Sequence, residues 1–306
     1  MLTLLILKAA WLSFPFAAAM AWLLVRRRGW TRWPAALLLL LTGAFIWARY
    51  IEPRELQVHR ETILLPGATA ASPSIRVALF SDTHLGLFPN AVPMDRIVQR
   101  INSEGVDVAL LAGDITYHPP PKQVDRLLAP LSELNAPLFA VLGNHDIDLP
   151  GAPHLSRTIL AALDKAGAVI VQNRAFETTL GGHDIVVAGA SDLWQHQQDF
   201  GFSAGLPEGV PVLLLTHNPD TALSVPDDFD YSLMLAGHTH GGQIRIPLLY
   251  HRMIPTQWPF DKGLYTFPSH AGSRLVYVTS GTGMSGLPLR FLMPPRIDVL
   301  TLHLPE

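Results

Sequence analysis

The chain has 306 residues, 49% of them hydrophobic and 15% charged, and a formal net charge of -3. That length allows one large domain or two ordinary ones around a sizeable core, and the near-neutral charge argues against a polybasic binder of nucleic acid. Cysteine is absent, which excludes disulfides and thiolate sites and leaves imidazole, carboxylate and amide groups as the metal donors.

Two apolar stretches, 2–25 and 33–48, come first, with Arg26, Arg27, Arg28 and Arg32 between them. The first is long enough to cross a hydrocarbon core if Lys8 snorkels to one face; the second is marginal and needs Trp33, Trp47 and Tyr50 as interfacial anchors. A transmembrane helical hairpin explains both. A cleaved signal peptide fits less well, because the first stretch has neither a basic start nor a clear small-residue cleavage site, and Arg26-Arg27-Arg28 gives only a faint twin-arginine signal. Residues 1–52 are therefore expected to be a membrane anchor, 53–74 a linker with a lead-in strand, and 75–306 the folded domain. The positive-inside rule puts the arginine-rich turn in the cytoplasm. The domain is then expected on the periplasmic or outer side of a bacterial-type inner or plasma membrane. Arg49, Arg54 and Arg60 pull the other way and keep a cytoplasmic domain as the alternative.

From residue 75 onward, runs rich in Val, Leu and Ile alternate with polar stretches: 75–80, 106–111, 137–142, 169–171, 185–188, 210–215, 231–235, 275–279 and 297–302. Such runs predict an α/β architecture with buried strands in more than one sheet. Helices are predicted at 94–102, 123–134 and 156–166, the last with Gly167 as C-cap. The segment 247–268, with Tyr250, Trp258, Phe260, Tyr265, Phe267 and several prolines, reads as a loop or flap. Its aromatics would serve either as ordinary packing, the favoured reading, or as an apolar wall for acyl chains.

Five of the strand runs end in residues suited to hard or borderline cations. The first runs into Asp82-Thr83-His84, the second into Gly113-Asp114, and the third into Gly143-Asn144-His145-Asp146. The run 210–215 leads to His217, and 231–235 to Gly237-His238-Thr239-His240. Each motif alone is weak, since a Gly-Asp or Gly-Asn turn is common in any protein and a lone histidine after a strand is usually a satisfied core residue. Five strand ends with one donor chemistry point together to a two-metal site at a common rim. Asp146 is open between orienting His145 and capping backbone amides, and Arg290 is expected to be solvated or paired.

This ordered set of motifs resembles the calcineurin-like metallophosphoesterase superfamily over roughly residues 75–302, and within it the bacterial membrane-associated phosphodiesterases. The resemblance implies a two-sheet sandwich flanked by helices, with two divalent ions (manganese, iron, zinc or cobalt) at the strand ends. One would be held by Asp82, His84, Asp114 and His240, the other by Asp114, Asn144, His217 and His238, with Asp114 as the bridge. It also implies His145 as the group that contacts the phosphate and protonates the leaving oxygen, and hydrolysis by a metal-bridging hydroxide. Protein phosphatases of the superfamily extend Gly-Asp with Asp-Arg-Gly, whereas here Gly113-Asp114 continues as Ile115-Thr116-Tyr117-His118. Phosphodiesters, lipid-linked ones included, are therefore the expected substrates, and the bilayer the expected partner. The alternatives are a phosphomonoesterase and a non-enzymatic membrane scaffold that keeps the fold.

Overall fold

The computed structural model describes residues 2–148, 154–269 and 272–305. Helix α1 (Leu2–Ala9) continues through a 3-10 turn into α2 (Ser13–Arg26), and α3 (Trp33–Ile46), with Pro34 in its first turn, continues through π and 3-10 turns. The result is two continuous helices, Leu2–Arg26 and Gly29–Arg54, of 25 and 26 residues. At 1.5 Å per residue each is roughly 37 Å long, more than the ~30 Å hydrocarbon core. The second span, marginal by its apolar run alone, gains its length from the flanking turns. The two lie against each other as a hairpin and expose Leu5, Trp11, Trp22 and Leu40, an apolar surface suited to lipid and not to water.

Both ends of the hairpin remote from the arginine turn meet the folded domain. The Thr3 hydroxyl donates to the Gly286 carbonyl at 2.6 Å, and the Arg290 N–H donates to the Ala48 carbonyl at 2.9 Å. Glu52 is buried at this junction, where its carboxylate accepts from the Trp47 indole and the Met293 N–H.

The remaining elements, in chain order, are β1 (Gln57–Leu64), β2 (Ser74–Phe80), β3 (Leu85–Gly86), α4 (Met94–Asn102), β4 (Val108–Ala112), β5 (Thr116–Tyr117), α5 (Val124–Leu128), β6 (Leu138–Val141), α6 (Leu155–Lys165), β7 (Val169–Ile170), β8 (Arg174–Leu180), β9 (His183–Gly189), β10 (Val212–Leu215), β11 (Leu233–Ala236), β12 (Gly263–Ser269), β13 (Gly272–Val278) and β14 (Arg296–His303). They build two six-stranded sheets, of order β1-β14-β2-β4-β6-β7 and β12-β13-β11-β10-β9-β8, plus the small pair β3-β5. In the first sheet β2, β4, β6 and β7 run parallel; in the second β9, β10, β11 and β13 do.

The sheets face each other across a core that includes Leu79, Leu110, Phe139, Val187, Leu213 and Tyr277. Helices α4, α5 and α6 cover the outer face of the first sheet; α4 does so with Met94, Ile97, Val98 and Ile101, one apolar stripe at helical spacing. The fold is thus a two-sheet sandwich flanked by helices. All nine apolar runs are strands.

Five further strands lie outside the apolar runs: the two-residue β3 and β5, β1 within the expected lead-in segment 53–74, and the edge strands β8 and β12. β1 and β8 are partly exposed edge strands in which runs of polar residues break any apolar stretch. β12 lies in the segment expected to be a loop or flap; as an edge strand it tolerates Pro268, which has no N–H to give a neighbour. The aromatics of that segment pack: Phe260 and Phe267 are buried on the outer face of the second sheet, with Trp258 and Tyr265 against them. The helix expected at 123–134 breaks after Leu128 into a 3-10 turn, Ala129–Glu133, because Pro130 cannot continue an α-helix.

Arg290 departs furthest from its expected role. It is fully buried, and its guanidinium donates to the carbonyls of Ser280, Gly281, Gly283, Met293 and Pro294. Burial pushes it down to about 10, still charged at neutral pH. It cross-links the chain after β13 to the segment leading into β14, next to the hairpin junction. Arg290→Met removes every donor while keeping an apolar stem and should lower stability by about 3 kcal/mol, since several buried carbonyls lose their partner. Arg290→Lys should recover only part of this, because one ammonium cannot span the same acceptors. The denaturation midpoint of the full chain in detergent checks it; an unchanged midpoint in Arg290→Met would show that the segment holds without the guanidinium.

Candidate metal centre

The C-terminal ends of β2, β4 and β6 in one sheet and of β10 and β11 in the other open on a single rim. Asp82 and His84 follow β2, Asp114 follows β4, Asn144 and His145 follow β6, His217 follows β10, and His238 and His240 follow β11. Three of these strands, β2, β4 and β11, turn sharply there. Asp82, His84, Asp114, His238 and His240 all hold positive φ between 45° and 71°, a backbone region that side chains seldom adopt. Such strain persists only where the surroundings over-determine it.

The surroundings are tight. A Cβ at Gly143 would overlap Asp114 Oδ1, and one at Gly237 would overlap Ser81 Oγ and Asp82 Oδ2. Glycine at these two turns therefore lets the carboxylates sit against the backbone.

Two groups of side chains can each hold a metal ion: Asp82, His84 and His240, and Asp114, His217 and His238. In the first, His84 Nε2 lies 3.0 Å from His240 Nε2, and Asp82 Oδ1 is 3.3 Å from His240 Nε2 and 3.9 Å from His84 Nε2. In the second, His217 Nε2 is 3.1 Å from His238 Nδ1, 3.1 Å from Asn144 Oδ1 and 3.3 Å from Asp114 Oδ2. Asp114 Oδ2 also lies 3.5 Å from His84 Nε2, so one oxygen faces both groups. Donors bonded about 2.0–2.2 Å from one cation stand roughly 3–3.5 Å apart. The measured separations match that spacing, apart from the wider Asp82–His84 distance.

The surrounding hydrogen bonds aim the donors. His217 Nδ1 donates to the Ala112 carbonyl at 2.8 Å, which turns Nε2 toward the cluster. Asp82 Oδ2 accepts from the His238 N–H and the Ser81 hydroxyl, and Asp114 Oδ1 accepts from the His145 N–H at 2.8 Å. One oxygen of each aspartate is thereby tied to backbone and the other points inward. Asp82 Oδ1 is buried with no hydrogen-bond partner, a cost that a cation would offset.

Charge supports the same arrangement. Burial lowers the His84 and His238 imidazoles to about 3 and lowers His240 strongly, so all three are neutral with a free lone pair at neutral pH. Burial raises the Asp82 carboxyl to about 6. Burial also opposes ionisation of Asp114 and protonation of His217, but their mutual attraction outweighs it, lowering Asp114 and raising His217. A nitrogen–oxygen pair held together by a shared proton is one that a divalent ion would enter by displacing that proton. The donor set fits two cations.

His145 stands beside this cluster, its ring 5.1 Å from that of His84 and 4.8 Å from that of Tyr117. Burial lowers its imidazole. It lines a cavity of about 320 Å³ with Asn144, Trp194, His238, Met253 and Leu287. Asp146 takes the capping role: its carboxylate accepts from the N–H groups of Gly143, Ile115 and Thr116 and from the Thr116 hydroxyl, with no bond to the His145 ring.

Sequence reasoning passed over Trp194, whose ring meets that of His238 edge-on at 4.5 Å, and Gln243, whose side chain bonds Ser285 and Leu287 and so fixes the cavity wall. A signal for Trp194 existed: Ser191-Asp192 follows β9 as Ser81-Asp82 follows β2, marking another strand end on the same rim.

With this geometry in hand, the chain compares closely with known proteins. The calcineurin-like phosphoesterase family model matches residues 75–242. The metallophosphoesterase YkuE of Bacillus subtilis is 32% identical over 267 residues, 85% of this chain and 90% of that one. The phosphodiesterase YaeI of Escherichia coli is 30% identical over 285 residues, 91% of this chain and all of that one. The UDP-2,3-diacylglucosamine pyrophosphatase LpxG of Chlamydia trachomatis is 27% identical over 312 residues, 84% of this chain and 92% of that one.

Gly237→Ala should displace Asp82 and Ser81 and leave the purified protein with less than about half the metal per chain of the parent. Gly205→Ala, where a Cβ meets open space, should retain the parent content. Elemental analysis after desalting makes the comparison; equal metal in both variants would show that close approach at Gly237 does not shape the centre.

Proposed function

This chain belongs to the calcineurin-like phosphoesterase family, and on that premise we propose that it is a membrane-held phosphodiesterase acting on phosphoesters that carry apolar chains. That it is a metal-dependent phosphoesterase follows from the family; the bond and substrate class are our reading. Asp114 Oδ2 carries it, as the one carboxylate oxygen that faces His84 Nε2 and His217 Nε2 together. One ion would be held by Asp82, His84, Asp114 and His240 and the other by Asp114, Asn144, His217 and His238. Two divalent ions there supply Lewis acidity toward the phosphoryl oxygens and toward the attacking water.

The chain's own residues do the rest. His145, packed against the His84 and Tyr117 rings, would give its imidazole proton to the leaving oxygen as the bond from phosphorus to that oxygen breaks. An anionic ester beside it favours the protonated ring and opposes the burial that lowers it. Trp194, Met253 and Leu287 make one side of the cavity apolar, which excludes water and suits an ester with a greasy leaving group or acyl portion. The Chlamydia relative is named for a diacylated nucleotide sugar, which supports that class.

Residues 1–52 act in this reading as anchor, 53–74 as the linker with β1, and 75–306 as the hydrolase. The four arginines of the hairpin turn favour a cytoplasmic turn and a domain on the opposite face.

Full-length protein in detergent with manganese should hydrolyse an aryl phosphodiester. Chelation should abolish turnover and added manganese should restore it. Asp114→Asn should drop to below roughly a thousandth of the parent rate, and His145→Gln should lower kcat about a hundredfold while the metal content stays unchanged. Turnover that survives both the chelator and Asp114→Asn would reject the assignment. A reporter fused after residue 306 should read as exported; a cytoplasmic signal would reverse the orientation.

A further inference from the structure

Eleven non-glycine residues among those described hold positive φ, and nine of them are polar residues, five belonging to the metal centre. The other two are Leu248, at φ 69°, and Leu292, at φ 58°. An aliphatic side chain in left-handed backbone is strained. Leu248 is also 91% exposed and Leu292 56%, so packing within the chain offsets almost none of that strain at Leu248 and only part of it at Leu292.

They have company. Ile246 and Leu249 are also exposed, and no acidic residue occurs between Gln243 and Gln257 while Arg252 faces solvent. The acidic neighbour of this tip in space, Asp261, is paired with Arg245, so the exposed tip is apolar with a solvent-facing cation at its side, the pattern of an interfacial segment.

The tip sits at the cavity mouth and at the hairpin. The Arg245 N–H donates to the Phe291 carbonyl at 2.8 Å, and the Phe291 N–H to the Gln243 carbonyl at 3.0 Å, which laces the tip to the Leu292 segment. Ile244, Met253, Gly286 and Leu287 line the cavity between these two segments. Gly286 accepts from Thr3 at the start of the first helix, and Arg290 donates to Ala48 toward the end of the second. Cavity mouth, apolar tip and hairpin ends are therefore continuous.

We propose that Ile246, Leu248, Leu249 and Leu292 form a rim that dips into the lipid interface beside the hairpin. This seats the cavity mouth on the bilayer, so that a phosphoester enters while its apolar chains stay in the membrane. The proposal deepens the phosphodiesterase reading and rests on it for the chemistry, while the membrane seat itself stands on geometry alone.

Because the chain lacks cysteine, Leu248→Cys accepts a single environment-sensitive fluorophore. Full-length protein so labelled is reconstituted in vesicles of phosphatidylcholine and phosphatidylglycerol, with or without lipids brominated in the upper acyl chain. Phe176→Cys, exposed on the edge strand β8, is the reference. The Leu248 label should be quenched by brominated lipid and the Phe176 label should not. Equal responses at the two positions overturn the proposal. Shielding of the Leu248 label that rises with protein density but ignores brominated lipid assigns the rim to a second copy of the chain, and overturns it too.

Leu248→Asp combined with Leu249→Asp should cut hydrolysis of a bilayer-embedded phosphodiester about tenfold while leaving a water-soluble aryl phosphodiester unaffected. Equal loss on both substrates, or no loss on the embedded one, overturns the proposal. If the parent protein hydrolyses neither substrate yet the Leu248 label is quenched by lipid, the rim is upheld and the hydrolase reading fails.

Discussion

Asp114 must keep one carboxylate oxygen on the His145 N–H and present the other to imidazoles from two sides. That requirement ties the two sheets together. Asp82, His84, Asp114 and Asn144 come from one sheet and His217, His238 and His240 from the other, so the spacing between sheets is also the spacing between donors. The inter-sheet core of close-packed aliphatic and aromatic side chains sets that spacing, and interiors of this density deform little. Left-handed backbone at five donor residues, after β2, β4 and β11, then brings those donors inward over a few residues, with Gly143 and Gly237 leaving room for the carboxylates.

Electrostatics and geometry reinforce each other there. Burial holds His84, His238 and His240 neutral, which a metal donor needs, and Asp82 Oδ1 lies buried among them with no hydrogen-bond partner. An apolar pocket would have no use for such a group, and a solvated loop would not need to strain the backbone to bury it. Divalent cations held at this place would answer both.

The two N-terminal apolar helices are structurally continuous with the wall of the cavity beside the centre. Arg290, at the heart of the segment before β14, donates through its backbone to Ala48 and through its side chain to the chain following β13. The same segment supplies Ser285, Gly286 and Leu287 to the cavity wall. An anchor that only tethered the domain would not need to share residues with its mouth, and this shared segment makes the bilayer part of the substrate's route in our reading.

Sequence alone determined the alternation of buried strands and amphipathic helices, the two apolar spans, and the types of donor at the strand ends. Each of these is local: a run of Val, Leu and Ile fully buried between layers needs no partner to be recognised, nor does a polar residue directly after it. The edge strands β8 and β12 were illegible because their half-exposed faces carry the composition of a loop, and only pairing with β9 and β13 makes them strands, whereas β1 falls in the lead-in strand expected within 53–74. Arg290 was misread for a similar reason, since a guanidinium is expected in solvent until several carbonyls converge on it. Asp146 could have served His145 or the backbone, and three N–H groups delivered by two different turns decided for the backbone. Distances between donors from different sheets, the shape of the cavity and the placement of its mouth against the hairpin depend on contacts between residues far apart in the chain. Tertiary packing alone could fix them.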